Sequence, residues 1–298
     1  MRQRYLEAME AFLDKARPDP NILAVVVGGS LAYDVIWEKS DIDITVVVRD
    51  QLLRSRSYSI VEDGIVLNLS MATRSEFRRD LERCACGSCG QAYYAKGQMV
   101  YTADESLAEF FEENRVIGED DAALSVMMMA GMLISDLEKS RKWLVARRDP
   151  QYAQYFLLHC TETVAVMELC LRGEPASRAA IQKAMVIEPE LMQRVYTCPM
   201  SHLYTPEEVE EAQREMEAYL ERHIDIIARP VLAFLADGEL KTGTLIERHF
   251  HEEIHFLIMV FDWLADKGVI DRAARTIRIT PKGRQVFEEI GYLYVGPN

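Results

Sequence analysis

Val25-Val-Val-Gly28-Gly29-Ser30 ends an apolar run that begins at Ile22, and after residues 30–40 the chain continues as Asp41-Ile42-Asp43-Ile44-Thr-Val-Val-Val48. Each apolar run is short, continuous and rich in β-branched residues, which reads as a buried strand. Two glycines at the end of the first strand let the backbone turn tightly and approach a ligand with no Cβ in the way. A helix over Ser30 to Ile36 would aim free N–H groups at the same place, which suits a phosphate. Side chains alternate along a strand, so Asp41 and Asp43 face one side while Ile42 and Ile44 face the core. Two neighbouring carboxylates repel unless a cation lies between them. Oxygen ligands of this kind suit Mg²⁺ held together with substrate phosphates. A phosphate cradle beside Mg²⁺ carboxylates points to phosphoryl or nucleotidyl transfer.

Working outward, residues 1 to about 117 alternate helices with short strands. Residues 1–16 form an amphipathic helix, because Glu7, Glu10 and Asp14 interrupt its apolar periodicity; it is not a signal peptide. Tyr58 to Val61 and Ile65 to Ser70 flank Glu62-Asp63-Gly64 and read as a hairpin. Thr73 caps a helix running to Arg83, with Glu76 completing a capping box. Gln98 to Tyr101 is a last short strand.

From 118 to 227 the sequence reads as a helical bundle, with helices over 120–148, 151–171, 178–184 and 206–227. From 228 to 298 the order is three helices, then two short strands, Val269-Ile270 and Thr276 to Thr280, joined by a turn, then Pro281-Lys-Gly-Arg284 leading into a last helix. This third segment resembles a winged helix, with Asp262-Trp-Leu-Ala-Asp-Lys-Gly as the end of its recognition helix and Ile279-Thr-Pro-Lys-Gly-Arg284 as its wing. The expected fold class is therefore α+β, in three parts: 1–117, 118–227 and 228–298.

At Gly28-Gly29, its spacer, and Asp41-Ile42-Asp43-Ile44, the chain resembles the DNA polymerase β-like nucleotidyltransferase superfamily, over roughly residues 20–105. The resemblance implies a mixed sheet, a nucleoside triphosphate as donor and Mg²⁺ as cofactor. Asp41 and Asp43 carry over as metal ligands and Gly29 and Ser30 as triphosphate contacts. Gly28, Ser40, Asn68 and Lys96 complete the expected nucleotide site, with Arg74 as a further phosphate contact. Many members of the superfamily carry a third carboxylate on a neighbouring strand. The matching strand here, Ile65-Val-Leu-Asn68-Leu-Ser70, holds no acid, and Asn cannot take a proton at neutral pH. One explanation is a base from the helical part, as in the aminoglycoside nucleotidyltransferase branch, with Glu162 and Glu138 as candidates. The other is weak or lost catalysis, leaving a nucleotide-binding regulator whose output is the winged helix.

Tyr152, Tyr155, His159 and Glu162 recur at helical spacing and share a face, which reads either as an acceptor pocket or as an ordinary packed face. The region also resembles the helical partner bundles called HEPN. Arg148 and His159 stand too far apart for the ribonuclease site of that group.

The other chemistry-bearing residues read more simply. Cys84, Cys86 and Cys89 lack a fourth ligand nearby, and with Cys160, Cys170 and Cys198 they are expected as free thiols. His251 and His255 stand four apart but read as a solvated pair, and Met127 to Met129 as core packing.

The formal net charge is −14, from 34 Lys and Arg against 48 Asp and Glu. That field opposes general binding to nucleic acid or anionic lipid. A small hydroxylated acceptor, or a protein side chain, therefore fits better than DNA. Arg272, Arg275, Arg278, Lys282 and Arg284 cluster around the wing and keep DNA contact through it open, though disfavoured. Packing or homodimerisation is the preferred use of that segment. No uncharged apolar stretch is long enough to span a bilayer, so no membrane partner is expected and the expected location is the cytoplasm.

Overall fold

The computed structural model describes residues 1–32, 37–83, 89–114, 118–174, 179–251, 254–280 and 282–296. The chain divides into two compact units, the first holding Met1–Gly118 and the second Glu119–Glu174 and Arg178–Asn298.

The first unit is a mixed five-stranded sheet between helices. Its elements are α1 (Arg2–Ala16), β1 (Ile22–Gly28), α2 (Gly29–Ala32), β2 (Ile42–Val48), β3 (Ser57–Glu62), β4 (Ile65–Thr73), α3 (Arg74–Arg83), α4 (Cys89–Lys96), β5 (Gln98–Thr102) and α5 (Glu105–Glu113). The strand order is β3-β4-β2-β1-β5. Only β2 and β4 run parallel; the remaining neighbours are antiparallel. Alternation sorts the strand residues onto two faces. Val25, Val27, Ile42, Ile44, Leu67 and Leu69 pack against Tyr5, Ala8, Phe12 and Leu13 of α1. Ala24, Val26, Val47 and Ala72 pack on the other face with Phe77, Leu81, Leu107 and Phe111 of α3 and α5. Asp43 and Thr45 share the parity of Val47 and so lie on this second face.

Two local signals in the sequence act as read. Asp63 and Gly64 both have positive φ, 48° and 74°, which is the two-residue turn that suits a right-twisted hairpin. The Thr73 hydroxyl accepts from the Glu76 N–H at 3.3 Å, and Glu76 Oε2 accepts from the Thr73 N–H at 3.0 Å, closing the capping box.

The second unit is built on two long antiparallel helices, α6 (Glu119–Arg147) and α7 (Pro150–Cys170). Asp149 caps α7, accepting from the Tyr152 N–H, and a proline follows at the first turn. Then come α8 (Ala180–Ile187), α9 (Pro189–Met192), a π turn (Gln193–Thr197), α10 (Cys198–Ser201), α11 (Pro206–Arg222) and α12 (Ile224–Phe234). The helix expected over 206–227 thus ends at Arg222, and the next begins at Ile224.

The chain finishes with β6 (Lys241–Thr242), α13 (Gly243–Phe250), α14 (Ile254–Asp266), β7 (Asp271–Ile277) and β8 (Phe287–Leu293), the strands forming an antiparallel sheet of order β6-β8-β7. The helix expected after Arg284 is instead β8. Ile290, Tyr292 and Tyr294 stand at alternate positions. Gly291 lets the β6 backbone in close, since a Cβ there would lie 3.0 Å from the Lys241 carbonyl oxygen. The short apolar run fits either period, and strand pairing decides it.

α14 packs across α6 in this unit. A Cβ on Gly131 of α6 would lie 2.6 Å from the Phe256 carbonyl oxygen, so the helices meet at a residue with no side chain. Glu217 of α11 ties the same region together. It accepts from Trp263 Nε1 at 2.9 Å, Lys267 Nζ at 2.8 Å and Arg141 Nη2 at 2.9 Å. Burial opposes its ionisation, but those three donors outweigh it and hold the carboxyl at about 2. A depressed carboxyl stabilises the fold fully above its unfolded value of 4.5 and loses that stabilisation as pH falls toward 2. Glu217→Gln is expected to lower stability at neutral pH by roughly 2 kcal/mol, after allowing for partial solvent screening. It should also flatten the fall in Tm below pH 4.5, read by thermal unfolding across that range.

Candidate functional site

The end of β1, the start of β2 and the middle of β4 converge. Gly28 pairs with Asp43 across β1 and β2, and Asp43 pairs with Asn68 across β2 and β4. Asp41, Asp43 and Asn68 are half-buried, while Ser59, Val66 and Ser70 beside them on β3 and β4 are exposed. The second face of the sheet is covered by α3 and α5 at one end, and Tyr93 of α4 packs on it near Thr45 and Asp43 at the other.

Both glycines are required by contact. Gly29 has φ +62°, a conformation that costs an L side chain about 1–2 kcal/mol. A Cβ built on it would lie 2.2 Å from Asp43 Oδ2, so the carboxylate rests directly over the bare Gly29 backbone. A Cβ on Gly28 would fall 2.0 Å from the Tyr93 ring. Tyr93 props this end of the sheet. Its hydroxyl accepts from Thr45 Oγ1 at 3.2 Å and lies 3.3 Å from the Val26 carbonyl and 3.4 Å from that of Asp43. Burial pushes its phenol well above the ordinary value, so it stays a neutral donor.

Asn68 does not stand in for an acid. Its Nδ2 donates to Asp41 Oδ2 at 2.6 Å, and its Oδ1 accepts from Ser59 Oγ at 2.9 Å. The segment before Asp41 is also tied down. Ser40 Oγ accepts from the Trp37 N–H at 3.1 Å, and the Ser40 N–H returns a bond to the Trp37 carbonyl at 3.0 Å. The Tyr5 hydroxyl on α1 lies 3.0 Å from that carbonyl and 2.9 Å from the Ser40 carbonyl. A cleft of about 570 Å³ opens here, lined by Arg4, Tyr5, Lys39, Ser40, Asp41 and Asn68 among others.

The other expected residues fall at different places. Ser30 lies in α2, and the rest of the expected helix, 33–36, lies outside the described residues. Lys96 is exposed at the end of α4. Two residues later Gln98 pairs with Val27, which puts Lys96 at the Gly28 end of the sheet. Arg74 sits at the opposite end: it follows Thr73, the partner of Val48, and Asp104 Oδ2 holds its Nε at 2.8 Å. Its part in the fold is that ion pair, which corrects the expectation of a phosphate contact. Glu138 and Glu162 belong to the second unit. Glu138 pairs with Arg141 at 2.7 Å and Glu162 is exposed on α7. On the same face of α7, Tyr152 and Tyr155 stack with centroids 5.4 Å apart, and His159 lies 4.4 Å from Tyr155.

Tyr5, Ser59 and Tyr93 escaped the sequence reading because each reaches the site from a distant stretch of chain. Lys39, one residue before Ser40-Asp41, was the accessible signal.

Asp43, resting over a bare backbone, and Asp41, just before β2, carry hard oxygen donors of the kind that could hold Mg²⁺ with a phosphate ligand. Among the described residues no three His, Cys, Asp or Glu side chains gather into a metal cluster. Cys160, Cys170 and Cys198 are free thiols, and burial pushes that of Cys170 up to about 11. Cys84 and Cys86 lie outside the described residues. No helix of the described residues is long and apolar enough to cross a membrane.

No protein-family model matches the chain, and no curated protein does. Among solved structures it is similar to a nucleotidyltransferase-like protein from Exiguobacterium sibiricum 255-15, known from a crystal structure at 1.90 Å resolution. The TM-score is 0.68, with 97% of this chain and 99% of that one covered and 14% of residues identical. The chain therefore has a nucleotidyltransferase-like fold, α+β with a mixed five-stranded sheet.

Proposed function

We propose that this protein is a Mg²⁺-dependent nucleotidyltransferase that moves a nucleoside monophosphate from a triphosphate to a hydroxyl group. The observation that carries the reading is the Asp43 carboxylate seated over the Cβ-less Gly29 backbone, with Asp41 just before the same strand and held by the Asn68 amide. Asp41 and Asp43 would hold the ion, which supplies charge stabilisation on the phosphate oxygens. The Gly28-Gly29-Ser30 backbone receives the triphosphate, with Lys96 at that end of the sheet and Lys39 and Arg4 lining the cleft at Asp41. The acceptor oxygen attacks the α-phosphorus in line. A new O–P bond forms, the bond to the bridging oxygen breaks, and pyrophosphate leaves. Asn68 cannot take the hydroxyl proton, so the proton goes to solvent or to an ionised carboxylate acting as base. Separate Glu162→Gln and Glu138→Gln variants test the aminoglycoside-branch arrangement, in which one of these would be the base.

The net charge of −14 favours a small hydroxylated acceptor, or a protein side chain, over a polynucleotide. For α12 to β8 we propose a winged-helix module used for packing or self-association. The crossing of α14 over α6 at Gly131 supports this, because a helix so engaged has less surface left for a DNA groove.

The N–H of Asn68, where an acid is common in the resembled superfamily, favours one second reading: a catalytically weak, nucleotide-binding regulator. The two readings part in a pyrophosphate-release assay with each common triphosphate, Mg²⁺ and panels of aminated sugars, polyols and proteins. Acceptor-dependent release from one triphosphate supports the transferase. Nucleotide binding without release from any pair supports the regulator.

A further inference from the structure

Ser59, Asn68 and the aspartates stand in a row across three strands. Strand register pairs Ser59 with Asn68, and Asn68 with Asp43. An ionised carboxylate only accepts hydrogen bonds, so the amide must turn its NH₂ toward Asp41 and its oxygen toward Ser59. The two bonds, 2.6 Å and 2.9 Å, hold that orientation from both ends. An amide N–H is a donor and offers no lone pair to a cation. On the Asn68 side, therefore, Asp41 Oδ2 faces a proton where an acid in that place would offer an oxygen. Paired cations lie about 3.5–4 Å apart, and an acid in place of Asn68 would give the second ion a ligand that the amide N–H does not.

We infer that this site takes a single divalent cation, on the Asp41–Asp43 side, and that Asn68, locked by Ser59, closes the position a second cation would need. The inference rests on the reading of Asp41 and Asp43 as cation ligands. Asn68 and Ser59 are positioning residues: they fix the Asp41 carboxylate and set the number of ions.

The test is Mn²⁺ alone titrated into the full chain, with bound ions counted from the loss of the free-ion electron paramagnetic resonance signal. The expected count is one ion per wild-type chain, none in the Asp41→Asn, Asp43→Asn double variant, and two in Asn68→Asp. The last should add a spin-coupled signal from ions about 4 Å apart. Ser59→Ala should keep one ion but bind it about tenfold more weakly, as loss of an outer-shell partner does. Two ions on the wild type, or a single uncoupled ion on folded Asn68→Asp, would overturn this inference and leave the metal site standing. No Mn²⁺ bound, or binding unchanged in the double variant, would overturn both. If circular dichroism shows Asn68→Asp unfolded, the wild-type count and Ser59→Ala decide, and unchanged affinity in Ser59→Ala refutes the relay.

Discussion

Asp43→Asn is expected to lower nucleotidyl transfer by about a thousandfold or more while leaving the fold intact. A metal stabilising transferred charge is worth several kcal/mol, and each 1.4 kcal/mol is a factor of about ten in rate. Asparagine has nearly the shape of aspartate, and Asp43 is half-buried, so little packing changes. The Gly28 backbone opposite it and the Tyr93 hydroxyl near its carbonyl are untouched. Asp41→Asn should act similarly, because the Asn68 N–H still finds an amide oxygen to meet. The check is pyrophosphate release under saturating triphosphate beside a circular dichroism spectrum. Lost rate with an unchanged spectrum is the expected pair. Unchanged rate would remove Asp43 from the chemistry.

Gly29→Ala is expected to damage stability and function together. The +62° φ costs an L residue about 1–2 kcal/mol on its own. The new methyl would also lie 2.2 Å from Asp43 Oδ2, so the carboxylate must move by an ångström or more. Misplacement of that size costs on the order of a hundredfold in rate. Gly28→Ala separates the causes, because its Cβ strikes the Tyr93 ring, not the carboxylate. Gly29→Ala should therefore lose Mg²⁺-dependent binding more severely than its Tm falls. Gly28→Ala should lose Tm first. Thermal unfolding with and without Mg²⁺ and nucleotide distinguishes them.

The parts of the fold written in local pattern were legible in the sequence. β1 and β2 are continuous β-branched runs, Asp63-Gly64 is a turn by residue type, and Thr73 with Glu76 is a cap by spacing. Alternation also put Asp43 opposite Ile42 and Ile44, whereas Asp41 lies just before β2, so alternation alone does not place it. β8 was not legible, because Phe287 to Leu293 satisfies both periods, and only pairing with β6 and β7 selects the strand. Nor was the break at His223, where the apolar pattern runs through with no Gly or Pro.

At the site, the sequence exposed the missing acid at Asn68 but not what the amide does. Its bonds run to Ser59 and Asp41, nine and twenty-seven residues away, and strand register creates that row. Tyr93 was equally hidden. It reaches Thr45 from forty-eight residues away, and an aromatic residue in a helix carries no mark of such a role.

The proposed function requires that Asp41, Asp43 and the Gly28-Gly29-Ser30 turn bind a nucleoside triphosphate with Mg²⁺. The most direct measurement is thermal unfolding of the intact protein with each of the four common triphosphates, with and without Mg²⁺, beside the Asp41→Asn, Asp43→Asn double variant. A ligand that binds only the folded state at a hundred times its Kd adds about 2.7 kcal/mol of stability. An upward shift of several degrees is expected for at least one triphosphate, dependent on Mg²⁺ and absent from the variant. No shift with any triphosphate at millimolar concentration, or one the variant keeps in full, would contradict the proposed function.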